Sequence, residues 1–306
     1  MDAQYRGRYK RMLMYESELI IAVRNGNGKI IASQTFEEFM NGRKNIEILN
    51  YYTGQKLFDI LFDDLGIIRY EDNVFALKTI FQLNPEKTTM SLLGKIAEAV
   101  IVRRCREDEE INKKWLSIAR RKKAKSKTAE RFQAVGTGLM RTKIDYPSIY
   151  NPADTQRDIV WVDDEGMRAM IKSSYAAGIE AGLQIKVSRN GMGYFFQDLC
   201  NLRYEVPVVY FDISHDYDKV ARELVLNQGF CGKPSIEENF VRASAIDYNG
   251  YEEVCFYEDL VMALVTGKLT VEDLLKNKTV CESETFRNSL LSATISQIPL
   301  QNIIIK

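Results

Sequence analysis

Histidine is nearly missing from this chain of 306 residues: His215 stands alone. Its isolation excludes histidine-based metal triads and leaves a Ser-His-Asp hydrolase resting on that one residue. The five cysteines, Cys105, Cys200, Cys231, Cys255 and Cys281, are scattered with no CxxC pair. A zinc ribbon and a thioredoxin-like motif are therefore unavailable, and the thiols read as reduced, mostly buried groups of a cytoplasmic protein. With 6 prolines and 18 glycines the chain is neither collagen-like nor low-complexity. Net charge is also lacking, since 42 Lys plus Arg balance 42 Asp plus Glu. Any polyanionic partner must then be argued from where the charges sit. No stretch approaches the ~18 apolar residues of a membrane span, and no GxxxxGK[ST] phosphate loop occurs. The cations Arg6, Arg8, Lys10 and Arg11 are followed by no apolar run, so the start does not read as a secretory signal.

What is present is enough to fold. Hydrophobic residues make up 45% and charged residues 27%, over a length of roughly two average domains. Three regions are expected: a mixed N-terminal region over 1–88 for DNA binding or dimerisation, a core over 89–227, and a mainly helical region over 228–306. In the first, Glu18–Arg24 and Lys29–Ala32 read as a hairpin around Asn25-Gly26-Asn27-Gly28. Residues 36–41 and 54–66 read as helical, the second with Leu57, Ile60, Leu61 and Leu65 on one face. Ser91–Cys105 is predicted as a helix capped by Ser91, with Glu98 inside its most apolar run.

A charge run follows. Nine cations lie within the nineteen residues 113–131, among them Arg120, Arg121, Lys122, Lys123 and Lys125. Such a run is either a solvated helix or loop, or a segment that contacts phosphates. Beyond it the pattern becomes β/α. Strands are predicted at Leu139–Tyr146, Asp158–Asp163, Ala181–Ser188 and Val206–Ile213, and helices at Tyr194–Arg203, Asp216–Leu226 and Val261–Leu275. Residues 165–177 read as helix or loop.

Chemistry enters with the strand at 181–188. Period-two alternation puts Gln184 and Lys186 on one face, and Asp158 opens the preceding strand. A lysine facing an acid inside a sheet is costly without a compensating group; a carboxylate, a metal-bound water or a phosphate would compensate it. A hard divalent cation takes oxygen ligands, which the Asp158 carboxylate and Gln184 amide can supply, with Glu98 completing the set. That combination fits metal-assisted phosphodiester hydrolysis, with Lys186 orienting the nucleophile and stabilising developing charge. Asp154 and Glu180 are the alternative carboxylates. Each residue also has a structural reading: Asp158 as a strand-start cap, Gln184 and Lys186 as an exposed strand face, and Glu98 as a solvent-facing helix residue. The aromatics Tyr194, Phe195 and Phe196 can either stack bases or pack in the core.

These residues and the order of elements around them resemble the restriction-endonuclease-like nucleases of the PD-(D/E)XK superfamily. Asp158 matches the family's first acid, Gln184-Ile185-Lys186 its (D/E)-X-K, and Glu98 its helix glutamate. The resemblance covers about residues 90–227 and departs at Gln184, where a neutral amide stands for the second acid. It implies an α/β (α+β) fold with an αβββαβ core, and a Mg²⁺-dependent endonuclease, with Mn²⁺ as a substitute. The implied setting is DNA cleavage in restriction or anti-phage defence, with no membrane association and a homodimer. An RNA-directed nuclease would share the site, and a protein that keeps the fold without catalysis is the alternative from another class.

Overall fold

The computed structural model describes residues 19–24, 30–35, 54–71, 74–78, 84–172, 178–227, 236–275 and 303–305. Two units divide the chain: residues 1–58, 70–76 and 267–306 in one, residues 59–69 and 77–266 in the other.

In the first unit, strands β1 (Leu19–Arg24) and β2 (Ile30–Thr35) pair antiparallel, as the hairpin reading expects, although its turn lies outside the described residues. Ile303–Ile305, in a region expected to be mainly helical, instead forms a strand antiparallel to β1. The helix expected over 36–41 also lies outside the described residues. Residues 54–58 are helical; the π-helical turn over Ile60–Asp64 and Gly66, whose φ of 62° suits glycine, belong to the second unit. The strands β3 (Ile68–Glu71) and β4 (Val74–Leu77) make a two-stranded sheet.

The second unit is built on helix α1 (Pro85–Glu107). Its cap is Asn84, whose side chain accepts from Glu86 N and Lys87 N, with Pro85 at the first helical position; Ser91 lies inside the helix, not at its start. Every residue from Ile96 to Val102 is buried, because α1 packs against the sheet on one side and against α8 (Tyr248–Val265) on the other. The charge run folds into α2 (Glu109–Ala119) and α3 (Ser126–Arg131). Asn112 ties both to the sheet: its Oδ1 accepts from Trp161 Nε1 at 2.8 Å, while its Nδ2 donates to the Ala129 and Phe132 carbonyls.

A five-stranded mixed sheet follows, in the order β5 (Gln133–Gly136), β6 (Ile159–Val162), β7 (Gly182–Ser188), β8 (Val208–Asp212) and β9 (Phe240–Arg242). The first three strands run antiparallel and the last three parallel. The strand expected at 139–146 is instead a short helix, α4 (Met140–Asp145), and the strand precedes the Gly136-Thr137-Gly138 turn. A Cβ on Gly136 would come within 2.6 Å of the Leu139 side chain, so its absence lets the chain fold back at once. Thr142 Oγ1 then bonds the Gly136 carbonyl and closes the turn.

After β7 come α5 (Gly191–Tyr194) and α6 (Phe196–Cys200), then β8 and α7 (Tyr217–Leu226). Phe195, Leu199, Val220 and Leu224 pack on Val208, Tyr210 and Phe240. Leu202, just past α6, is half exposed with a φ of 49°. On the opposite side of β8, Phe211 stacks on Tyr251 of α8. The helix expected over 261–275 breaks at Gly267, φ 71°, into the end of α8 and a separate turn of helix over Val271–Leu275. Among the described residues no helix is long and apolar enough to cross a membrane.

Candidate functional site

β6 pairs with β7 only at Ile159↔Leu183 and Val160↔Gly182. The Gln184 N–H points to β8, where it bonds the Pro207 carbonyl, so the next N–H, on Ile185, faces the side that β6 has vacated. Asp158 fills that vacancy. Its backbone is held on both sides, N–H to the Leu183 carbonyl and C=O to the Thr137 N–H. Its Oδ2 accepts from Ile185 N at 2.7 Å and from the Gln184 Nε2. Burial and the nearby Asp154 charge push the Asp158 carboxyl up, against the Ile185 N–H and the Lys95 and Lys186 ammoniums.

Gln184, 6% exposed, spends its amide nitrogen on Asp158, and its Oε1 is buried with no hydrogen-bond partner. Glu98 is 3% exposed, not solvent-facing. Lys95, one turn back on α1, donates to Glu98 Oε1 at 2.8 Å, while Oε2 is buried and unpartnered. Desolvation first, then the Asp158 charge, raise the Glu98 carboxyl to about 8 despite Lys95 and Lys186. A Cβ on Gly138 would lie 3.4 Å from Lys95 Nζ and 3.9 Å from Glu98 Oε2, so the bare glycine leaves room beside that oxygen.

Lys186 is half-buried, and burial pulls its ammonium below the usual lysine range although Asp158, Asp198 and Glu98 oppose this. Its Nζ lies over two rings, 5.0 Å from the Tyr204 centroid and 5.9 Å from that of Tyr194. Tyr204 is held in turn: its hydroxyl donates to Asp198 Oδ2 at 3.0 Å, and Arg203 grips the same carboxylate through both oxygens. Gln156, two residues before Asp158, bonds the Arg203 carbonyl and the Glu205 N–H, which stitches the tyrosine loop to the acid's own segment.

The site therefore brings together Glu98, Asp158, Gln184 and Lys186, far apart in the chain, and adds Lys95, Tyr194 and Tyr204. The alternative acids stand apart from it. Asp154 Oδ1 caps the Gln156 and Arg157 N–H groups, so it shapes the turn and reaches Asp158 only through its charge. Glu180 bridges to Met170 and its carboxylate is taken by Arg168. His215, in the left-handed region at φ 57°, sits 3.3 Å from the Tyr251 hydroxyl and outside this group.

Of the basic run, Arg121 is a brace, because its Nη2 donates to the Glu205 carbonyl at 2.9 Å and to Asn239 Oδ1 at 2.7 Å. The Arg120 Nε is buried without a partner, and Lys122, Lys123 and Lys125 are exposed. The Arg121 brace places this turn beside the loop that carries Tyr204. Lys95 was legible as an i, i+3 partner of Glu98; Tyr204, eighteen residues beyond Lys186, carried no signal in the sequence.

Among the described residues no three His, Cys, Asp or Glu side chains gather as a metal site. The donors here are two carboxylates and an amide, all oxygen, with two of the oxygens buried and unpartnered. That set fits a hard divalent cation, which takes carboxylate and amide oxygens and no nitrogen or sulfur. The chain matches no protein-family model, no curated protein and no solved structure.

Proposed function

We propose that this protein is a Mg²⁺-dependent nuclease that hydrolyses phosphodiester bonds in DNA, on a restriction-endonuclease-like αβββαβ core formed by α1, β5, β6, β7, α5–α6 and β8. One observation carries the reading: Glu98 Oε2 and Gln184 Oε1 are buried without partners beside Asp158, with the Lys186 ammonium at hand. Buried polar atoms are nearly always hydrogen-bonded. Two orphaned oxygens in one acidic cluster are best explained by a cation they ligate.

Glu98, Asp158 and Gln184 would hold the ion, Mg²⁺ or in its place Mn²⁺. With the ion bound, the site gains Lewis-acid polarisation of the scissile phosphate and a more acidic attacking water. The side chains do the rest. Gln184 and the Ile185 N–H fix the Asp158 carboxylate, Lys95 holds Glu98 by one oxygen, and Lys186 presents positive charge where the phosphate's charge develops. The exposed Lys122, Lys123 and Lys125 supply backbone attraction for the nucleic acid. A role in restriction or anti-phage defence and a homodimer, with two sites for two strands, belong to the same reading.

Calorimetry with Mn²⁺ and plasmid nicking with Mg²⁺ test it together. The wild type is expected to bind and to nick; Asp158→Ala to lose the heat; Lys186→Ala to bind metal but cut about 10²–10³-fold more slowly. No heat and no cleavage of DNA or RNA by a folded wild type would contradict the proposal. A second reading, a nucleic-acid-binding protein without catalysis, is favoured by the hydrogen bond that engages the Gln184 amide with Asp158. It predicts DNA binding with no metal heat.

A further inference from the structure

The three consecutive aromatics after β7 divide sharply. Phe195 is 1% exposed and packs edge-on against Tyr210 at 4.8 Å, and Phe196 is half-buried against the same cluster. Tyr194 is 61% exposed. Its ring is nonetheless held in place, T-shaped against Phe195 at 5.9 Å and 84°, with the Lys186 ammonium 5.9 Å from its centroid. Core packing thus accounts for the two phenylalanines and not for the tyrosine.

We propose that Tyr194 stacks on an unpaired base of the substrate strand next to the scissile phosphate, so that the nucleic acid is taken single-stranded or locally melted. This rests on the nuclease reading above and deepens it. A phosphate drawn to Lys186 brings the base of its own nucleotide within reach of a ring beside the same ammonium. In a duplex both faces of that base are covered by its stacked neighbours; an unpaired base offers a free π-face to an aromatic side chain. A tyrosine already positioned by Phe195 loses little freedom on stacking, having only two side-chain torsions to fix. The other ring at Lys186 is not available in the same way, because Tyr204 is half-buried and its hydroxyl is committed to Asp198. Tyr204 braces the lysine; Tyr194 is left for the substrate.

The test uses the full chain without divalent metal and a short oligonucleotide carrying 2-aminopurine, single-stranded or annealed to its complement. The wild type is expected to quench the single strand's fluorescence on binding. Tyr194→Leu keeps an apolar side chain but has no π-face. It should abolish the quench and weaken single-strand binding about tenfold, with a smaller effect on the duplex. Tyr194→Trp should restore both. Quenching by the leucine variant, equal losses on the two DNAs, or failure of tryptophan to rescue would overturn the stack while leaving the nuclease reading standing. A folded wild type that bound neither DNA would overturn the stack, and the nuclease reading would be judged separately by its metal heat and cleavage.

Discussion

Asp163 and Asp247, each 5% exposed, are little more accessible than Glu98 at 3%, yet their surroundings are of a different kind. Asp247 receives the Arg104 guanidinium as a fork, Nε to one oxygen and Nη2 to the other at 2.8 Å, and also caps α8 through the Gly250 N–H. A Cβ on Gly250 would come within 2.6 Å of that carboxylate, so the close approach depends on glycine. Asp163 accepts from Arg131 at 2.7 Å and from the Glu165 and Met167 N–H groups. Both acids are saturated by donors within the chain. Glu98 has one lysine, itself nearly half exposed, an unpartnered oxygen, and another carboxylate for company. Asp163 and Asp247 are satisfied within the chain; Glu98 keeps a buried oxygen without a partner, which the proposed cation would meet. Asp212 stands between the two kinds, since Arg242 takes its Oδ2 at 2.7 Å while its Oδ1 is buried without a partner.

Breaking the closed side should give the largest effect. Asp247→Ala strands a buried guanidinium, at a cost of about 3–5 kcal/mol in a denaturant titration. Retention of wild-type stability would put Asp247 in the same class as Glu98.

The open side should show a smaller effect with an unusual sign. The Glu98 carboxyl titrates at about 8, against an ordinary 4.5, so the folded protein holds a proton that the unfolded chain releases. The metal-free protein therefore loses stability as pH rises through that window. Glu98→Gln should raise the thermal midpoint at pH 8 and change it little at pH 5, and Mg²⁺ should stabilise the wild type at pH 8 but not this variant. A variant less stable than wild type at pH 8 without metal would refute the open-acid account.

Asp163 gives the opposite sign and the smallest effect. Arg131 and the backbone donors hold its carboxyl below the usual aspartate range, so its contribution is present above that range and lost as pH falls through the lowered value. Arg131→Ala should lower stability slightly at neutral pH, since the arginine is largely exposed, and move the acid-unfolding midpoint to higher pH, the difference from wild type vanishing once the pH is below the lowered value.

The buried runs IVWV and VVYFD announce the central strands because both faces of such strands are covered. That Asp158 and Gln184 would lie together was legible from strand position and the family resemblance, and Glu98 was marked by an acid placed within an apolar helix. The first strand was misplaced because Gly136-Thr137-Gly138 looks alike before and after a strand; the Leu139 fold-back that decides it is a tertiary contact. The aromatic clasp on Lys186 was illegible for a related reason. Tyr204 reaches the lysine through a loop tied down by Gln156 and Asp198, and no periodicity encodes that.

The central claim is that Glu98, Asp158 and the Gln184 amide share one cation. Crystals soaked in Mn²⁺ and measured for anomalous scattering test it most directly. The account predicts a single peak within ~2.2 Å of Glu98 Oε2, Gln184 Oε1 and an Asp158 oxygen. No peak at these side chains, with the two buried oxygens meeting ordered waters instead, would contradict it.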